Sequence, residues 1–329
     1  MKDVGLVGVP FSGKSTLFTA LTRIGSAGGR ANQAVVPVPD PRLDVLAEMH
    51  RSRRVVPAQV RFVDVPGGTS AQALAALRET DALCVVVRAF GPDPDPAGEL
   101  AEVTADLLLA DLANVDTALE NARKRTKGRS AKEGATAEVV ALQAAHSALS
   151  EERLLRDADL DEEARRHLRG LAPLTLKPWV VVANLEEGAG VPRGLPEGTV
   201  GVSAEIEAET AGMPEDEARA LLAEFGVVEP GIDRVVAACY RALDLITFLT
   251  TGEDETRAWE VRHGATAPEA AGAIHSDLQR GFIRAEVVGY DDLVAAGGWE
   301  QAKHHGSLRV EGKDYVVREG DVLHVRFAV

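Results

Sequence analysis

The stretch "GVPFSGKS" (8–15) decides how the rest of this chain is read. It fits G-x-x-x-x-G-K-[ST], emerges from the apolar run "VGLVGV" (4–9) and opens onto "TLFTALTRI", so a strand runs into a glycine loop that starts a helix. Such a loop turns successive backbone N–H groups and the positive end of a helix dipole toward an anion, the chemistry a phosphate chain needs. Lys14 adds a point charge for the β- and γ-phosphates, and the Ser15 hydroxyl falls where Mg²⁺ is held. The expected nucleotide-binding residues of this segment are Gly8, Pro10, Phe11, Ser12, Gly13, Lys14, Ser15 and Thr16. Working outward, the next strong apolar run, "VRFVDV" (60–65), ends in Asp64-Val65-Pro66-Gly67. This D-x-x-G, coming after a phosphate loop, predicts that Asp64 joins Ser15 in holding the metal and that the Gly67 N–H senses the γ-phosphate. Lys14, Asp64 and Gly67 are accordingly the expected catalytic groups.

Two more apolar runs, "ALCVVV" (82–87) and "WVVVAN" (179–184), alternate with helix-like stretches, the pattern of a parallel sheet with crossover helices. The alternation stops after "GPDPDPAG" (91–98). Leu108, Leu112, Val115 and Leu119 then recur at helical spacing, and Val139, Leu142 and Leu149 continue the seam, which predicts an antiparallel helical hairpin. Between its arms lies "NARKRTKGRSAK" (121–132), with six cations and no acid. The chain carries 36 Lys and Arg against 51 Asp and Glu, a net charge of −15, which disfavours nucleic-acid or anionic-membrane binding by the surface at large. The basic island Arg123, Lys124, Arg125, Lys127, Arg129 and Lys132 is therefore either a solvated helix tip or a local contact for a phosphate backbone. Past residue 245 short strands and turns take over; "LRV" through "YVV" to "LHVRF" reads as hairpin-like, and "APEAAGAIHSDLQRG" (267–281) as one helix. The N-terminus does not read as a signal peptide, no apolar run approaches 18 residues, and Cys84 and Cys239 are expected to be buried thiols of a cytoplasmic protein.

With these motifs in place the chain resembles the YchF/Obg-like ATPases, a branch of the translation-factor-related P-loop NTPases. The resemblance rests on the phosphate loop, on "VVPVPDPRLDVLAE" (35–48), "RETDALCVVVRAF" (78–90), "LLLADLANVDTALE" (107–120) and "LTLKPWVVVANLEE" (174–187), and on 244–293 continuing to "EGKDYVVREGDVLHVRFAV". It implies an α/β fold with three parts. A P-loop NTPase domain with a mainly parallel sheet would span 1–92 and 172–244, with a helical hairpin inserted at 93–171. A TGS domain, a ubiquitin-like β-grasp, would span 245–329. It also implies ATP with Mg²⁺, and a ribosome or RNA partner met through the hairpin tip and the TGS domain, with neither DNA nor membrane as a partner.

The base motif follows from the same resemblance. Guanine-specific switches carry Asn-Lys-x-Asp, whose carboxylate pairs with guanine; here the strand ends "ANLEE" (183–187), matching the family's Asn-x-x-Glu through Asn184 and Glu187. Asn184 would offer donor and acceptor to the adenine N6/N7 edge, Leu185 an apolar wall, and Ser203 and Ala204 in "VSAEIEAE" (202–209) backbone contacts to the base. The chain also departs from the family pattern. The loop before "VVPVPDPRLD" is short, no Thr occurs between Arg23 and Gly68, residue 68 is Gly where a Gln orients water in related switches, and no His lies between His50 and His146. Two functions stay open on this reading: a slow ATPase, or an ATP-responsive binding module impaired in hydrolysis. A GTPase would need base contacts that "ANLEE" does not offer.

Overall fold

The structure is a computed structural model that describes residues 1–22, 26–27, 32–127, 133–210, 213–225, 227 and 230–328. The chain divides into two compact units, Met1–Val36 with Arg61–Cys239, and Pro37–Val60 with Tyr240–Val329. The second includes Pro37–Val60, a segment that the sequence alone places inside the nucleotide domain.

Among the described residues of the first sheet, seven strands lie in the order Ser26–Ala27, Gln33–Pro37, Gln59–Asp64, Lys2–Val7, Ala82–Ala89, Trp179–Leu185, Val200–Val202. The last four are parallel neighbours, with Val7 beside Val85 and Asn184 beside Val202. Their apolar runs are explained by burial on both faces: the in-and-out alternation of a half-exposed strand is absent, and Leu83 to Val87 are all fully buried. Cys84, on Ala82–Ala89, and Cys239, on the helix Gly231–Ala242, are both buried free thiols. They are far apart in sequence, and interaction with Cys84 together with burial raises the Cys239 thiol pKa.

The hairpin is present as the helices Pro96–Lys127 and Glu133–Ser150. Val115, Leu119, Leu142 and Leu149 are buried in one apolar cluster with Leu155 and Leu168, and Leu112 and Val139 pack against its flank. The heptad-like spacing thus marks the seam between the arms.

In the second unit six strands, among the described residues, lie in the order Arg309–Glu311, Phe282–Gly289, Asp321–Phe327, Leu245–Thr250, Thr256–Arg262, Val55–Val56. The first hairpin strand, Leu245–Thr250, runs parallel to the last strand at Val322 and Leu249, with the helix Ala267–Ile274 between the hairpin and the rest. This hairpin, helix and central parallel pair is the connectivity of a β-grasp. Two local expectations are corrected. Arg309–Glu311 pairs antiparallel with Phe282–Gly289 and not with Asp321–Phe327, because the long connection through Tyr315 leaves only an isolated bridge, Thr266 to Val316. The stretch 267–281 is two helices, since His275 adopts φ −163°, ψ 141° and its Nδ1 accepts the Asp277 N–H at 3.1 Å, starting a new helix at Ser276.

Pro37–Val60 joins this unit through polar contacts that no periodicity announces. Ser52 Oγ donates to Gly252 O at 2.7 Å, Arg53 N to Glu253 O, and Thr256 N to Arg54 O, while Arg42 bridges Asp40 and Glu319. The core beside them centres on Phe248, fully buried and stacked on Trp259 with ring centroids 6.4 Å apart. Phe248→Ala should cost the second unit about 3–5 kcal/mol. Urea unfolding followed by tryptophan fluorescence measures this, and a destabilisation below about 1 kcal/mol would show that the ring is not the centre of that core.

Candidate functional site

Strand adjacency builds the site. Gln59–Asp64 lies next to Lys2–Val7 in the sheet, so the loop leaving Val7 and the carboxylate ending the neighbouring strand emerge at one edge. The loop needs its glycines for space and for backbone sign. A Cβ on Gly8 would stand 2.5 Å from Val86 O and 2.7 Å from Ser12 Oγ; one on Gly13, whose φ is +83°, would stand 1.9 Å from Asn184 Nδ2. The helix Lys14–Thr22 begins directly after, with Leu17 N donating to Gly13 O at 2.9 Å.

Lys14, Ser15 and Asp64 converge. Lys14 Nζ is ion-paired with Asp64 Oδ1 and donates to Val65 O at 3.0 Å, while Ser15 Oγ donates to Asp64 Oδ2 at 3.3 Å. The Lys14 and Asp64 side chains are each only 11% exposed, so the pair is largely shielded from water. Lys14 is thus held across the mouth of the loop, and substituting it would also leave Asp64 without its cation. Ser12 is buried with its Oγ lacking a partner among the described residues. Pro10 and Phe11 are exposed, Phe11 by 90% and with φ +69°; Thr16 is half-buried on the first turn of the helix.

Gly67 and Gly68 follow with φ +98° and +60°. A Cβ at residue 68 would begin 3.4 Å from Gly8 O and 3.8 Å from Pro10 Cδ, so this turn lies against the phosphate loop itself. A left-handed glycine pair packed that closely provides backbone and no side chain. Ser70 then caps the helix Ala71–Leu77, accepting from Ala73 N.

Asn184 is buried, and its amide also makes two hydrogen bonds within the protein. Nδ2 donates to Ser12 O at 3.2 Å and Oδ1 accepts the Ala204 N–H at 3.1 Å, so the side chain ties the phosphate loop to the Ser203–Ala204 loop. Those polar atoms face protein partners across 172 and 20 residues of sequence, leaving Leu185, half-buried, and the exposed Glu187 at the rim. Ala204 is buried and opens the helix Ala204–Glu209. That helix is pinned in turn by Glu207, a buried carboxylate accepting from Gly231 N at 2.8 Å and Ile232 N at 3.0 Å, the first turn of the helix Gly231–Ala242. Sequence reasoning passes over Glu207 and over Phe90, whose ring lies 3.6 Å from where a Gly13 Cβ would be. Half of "AEIEAE" is Glu, so nothing in the sequence singles out Glu207 from Glu205 and Glu209.

Of the basic cluster, Arg123, Lys124 and Arg125 are exposed on the last turns of Pro96–Lys127. Lys124 pairs with Glu120 at 3.6 Å and Arg125 with Glu138 at 2.7 Å. Arg129 and Lys132 lie outside the described residues, as does the side chain of Lys127.

Comparison with known proteins agrees over the whole length. The family model YchF-GTPase_C, described as a protein of unknown function, matches residues 245–328, and the model described as a 50S ribosome-binding GTPase matches residues 3–111. The ribosome-binding ATPase YchF of Haemophilus ducreyi is 41% identical over 360 residues, covering 99% of each chain, and that of Bacillus subtilis 37% over 363 residues, again 99% of each. The structure of the Schizosaccharomyces pombe YchF GTPase aligns with a TM-score of 0.89 at 28% identity, covering 99% of this chain and 97% of that one. An alignment of 360 positions to a chain of 329 leaves at least 31 positions at which this chain has no residue. That agrees with shortened loops.

The clearance at Gly13 generates a test. Gly13→Ala should displace Asn184, break the tie between the two loops and weaken nucleotide binding roughly 100-fold. Gly91→Ala, also at positive φ but with nothing within 4 Å, is the control and should leave affinity unchanged. Titration with a fluorescent nucleotide measures both, and equal affinity for the two variants would refute the role given to that clearance.

Proposed function

The chain belongs to the YchF family of P-loop NTPases, and on that premise we propose that it binds ATP with Mg²⁺, hydrolyses it slowly and associates with the ribosome. The observation that carries the nucleotide part is the convergence of Lys14, Ser15 and Asp64 at the mouth of the glycine loop. In this reading the loop N–H groups of 8–16 hold the phosphates, and Lys14 exchanges Asp64 and Val65 O for phosphate oxygens when a triphosphate enters. The residues fit a magnesium ion: Ser15 Oγ and the Asp64 carboxylate are hard oxygen donors at hydrogen-bond distance from each other, and this cation takes one or two such ligands beside phosphate and water. Bound there, it would neutralise charge between the β- and γ-phosphates. The Gly67 N–H is the group that reports the γ-phosphate.

The relatives' names divide between ATPase and GTPase. Asn-Leu-Glu-Glu at 184–187 supports adenine, because no Asp stands where a guanine-specific site needs its carboxylate. Asn184 spends one donor on Ser12 O and one lone pair on Ala204 N, which leaves one of each for the adenine edge, and we assign the base contacts to Asn184, Leu185, Glu187 and the backbone of Ser203 and Ala204. The proposal of slow turnover is supported by glycine at 67 and 68, which offers no side chain to orient water. Orientation can supply several kcal/mol of a barrier, and its absence leaves the chain with electrostatic help only.

The functional division into a nucleotide domain, an inserted hairpin and a C-terminal module is part of the same proposal, with the hairpin tip as the partner contact. Calorimetry with MgATP and MgGTP, and single-turnover hydrolysis with and without ribosomes, tests it. ATP should bind about fivefold more tightly or better, for a missing pair of hydrogen bonds costs about 1 kcal/mol or more. Hydrolysis alone should run at about 10⁻⁴ to 10⁻² per second. Tighter binding of GTP would sink the base assignment, and turnover of several per second would reveal a water-orienting group beyond those named. Reversing Arg123, Lys124 and Arg125 to Glu should weaken ribosome co-sedimentation and flatten its salt dependence, by a slope of about 0.7–0.9 for each phosphate that is no longer neutralised. Unchanged co-sedimentation at every salt concentration would exclude the tip.

A further inference from the structure

The hairpin is rooted in a buried polar junction that the chemistry of the phosphate site does not use. The helix Ala71–Leu77 starts just after the Gly67–Gly68 turn, with Ser70 N donating to Gly67 O at 3.0 Å, and it ends on Arg78. The Arg78 guanidinium is committed to the hairpin. Nη1 donates to Asp111 Oδ1 at 2.7 Å and to Ala172 O at 3.1 Å, and Nη2 to Ala110 O at 3.2 Å. With its amide oxygen turned inward, Asn114 accepts from Nη2 at 3.0 Å and Nε at 3.2 Å. The Asp111 side chain is wholly buried and also accepts from Leu174 N at 3.1 Å and from both Thr175 N and Thr175 Oγ1 at 2.7 Å. Lys177 Nζ closes the junction on Arg78 O at 2.9 Å and on Thr80 O. One carboxylate thus joins the outgoing arm, the returning segment and the end of the helix that follows the γ-phosphate turn.

The mechanics follow from the lengths. The outgoing arm is a single helix of 32 residues, about 48 Å long. Its first turn is fixed where Glu99 accepts Arg88 N at 2.7 Å and Arg88 Nε at 3.2 Å, at the end of the strand Ala82–Ala89. Asp111 lies twelve residues on, about 18 Å from that anchor, with the basic tip beyond it. The apolar seam with Glu133–Ser150 stiffens the pair of arms, so a displacement at the tip reaches Asp111 as rotation about the Glu99 anchor. A buried carboxylate holding its guanidinium and its N–H donors does not let go easily. The Ala71–Leu77 helix must therefore move with the hairpin.

We infer that Arg78 and Asp111 are positioning residues that couple the occupancy of the hairpin tip to the Gly67–Gly68 turn, so that a partner held at the tip changes the fate of a nucleotide it never touches. The inference rests on the reading of the loop as an ATP site and of the tip as its partner contact. By linkage the coupling is reciprocal: the γ-phosphate must alter the hairpin roots as much as the tip alters the nucleotide.

Two measurements on the full chain decide it. In the absence of any partner, amide hydrogen exchange at 107–114 and 174–177 is compared with Mg²⁺ and either ADP or a non-hydrolysable ATP analogue. Exchange at these roots should differ about fivefold or more between the two nucleotides, and the difference should vanish in Arg78→Lys, which keeps the charge but loses the forked donors. Identical exchange in the wild type overturns the inference without reference to any variant. So does a difference that persists in both Arg78→Lys and Asp111→Asn. In the second measurement, ribosome affinity is determined with each nucleotide; the ratio, expected between about 5 and 150 as couplings usually are, should fall below about twofold in Arg78→Lys. Nucleotide affinity without ribosomes should stay within about twofold of wild type, a split that a merely destabilised protein would not show. A wild type that binds nucleotide but no ribosomes refutes the partner assignment and leaves the exchange result to decide the coupling.

Discussion

The pairing of Lys14 with Asp64 depends on two strands, Lys2–Val7 and Gln59–Asp64, lying side by side in the first sheet. Everything at the candidate site is organised by that adjacency. It brings a helix-starting loop and a strand-ending carboxylate to one edge, sets the Ser15 hydroxyl against the same carboxylate, and lays the Gly67–Gly68 turn on Gly8 and Pro10. A shift of either strand by one residue would turn Asp64 to the other face of the sheet and leave a shielded ammonium without its anion. The register is thus specified twice, by the apolar residues around Val7 and Phe62 and by the ion pair at their ends.

Three buried polar side chains then do for the site what apolar packing does for the core. Asn184 joins the phosphate loop to the Ala204 loop, Glu207 joins that loop to the helix Gly231–Ala242, and Asp111 joins the hairpin to the helix after the Gly67–Gly68 turn. Apolar contacts are tolerant of small shifts, whereas a buried amide or carboxylate keeps its low energy in one arrangement of donors only. Placing such groups where loops must hold angstrom-level spacing makes the spacing discrete. The same property makes a junction such as Arg78 with Asp111 able to transmit displacement without absorbing it.

What was legible in the chain beforehand divides along this line. The phosphate loop, the D-x-x-G and the hairpin seam at Leu108 to Leu149 are local patterns, and local pattern is what turns, strands and helix faces are made from. The tie from Asn184 to the Ser12 carbonyl was not legible, because it depends on a fold partner 172 residues away. Nor was the membership of Pro37–Val60 in the second unit, which rests on a two-residue strand, Val55–Val56, on hydrogen bonds at Ser52, Arg53 and Arg54, and on the ion pair of Arg42 with Glu319. The break at His275 was hidden for the opposite reason: its residues have helix-compatible character, and a side-chain bond from Asp277 N overrides them.

The glycine pair at 67–68 bears on the proposal that this site turns over slowly. Positive φ at both residues favours glycine at this turn, which lies in van der Waals contact with Gly8 and Pro10 of the loop and carries no side chain that could orient water. Close packing makes the turn sensitive to small movements of the phosphate loop, and Ser70 passes such movements directly into the helix Ala71–Leu77. On the proposed reading, a site of this kind is built better for reporting which nucleotide it holds than for destroying it. Because the report leaves through Arg78, whose donors reach the hairpin and not the solvent, the element it acts on is the 32-residue arm carrying the exposed cations Arg123, Lys124 and Arg125.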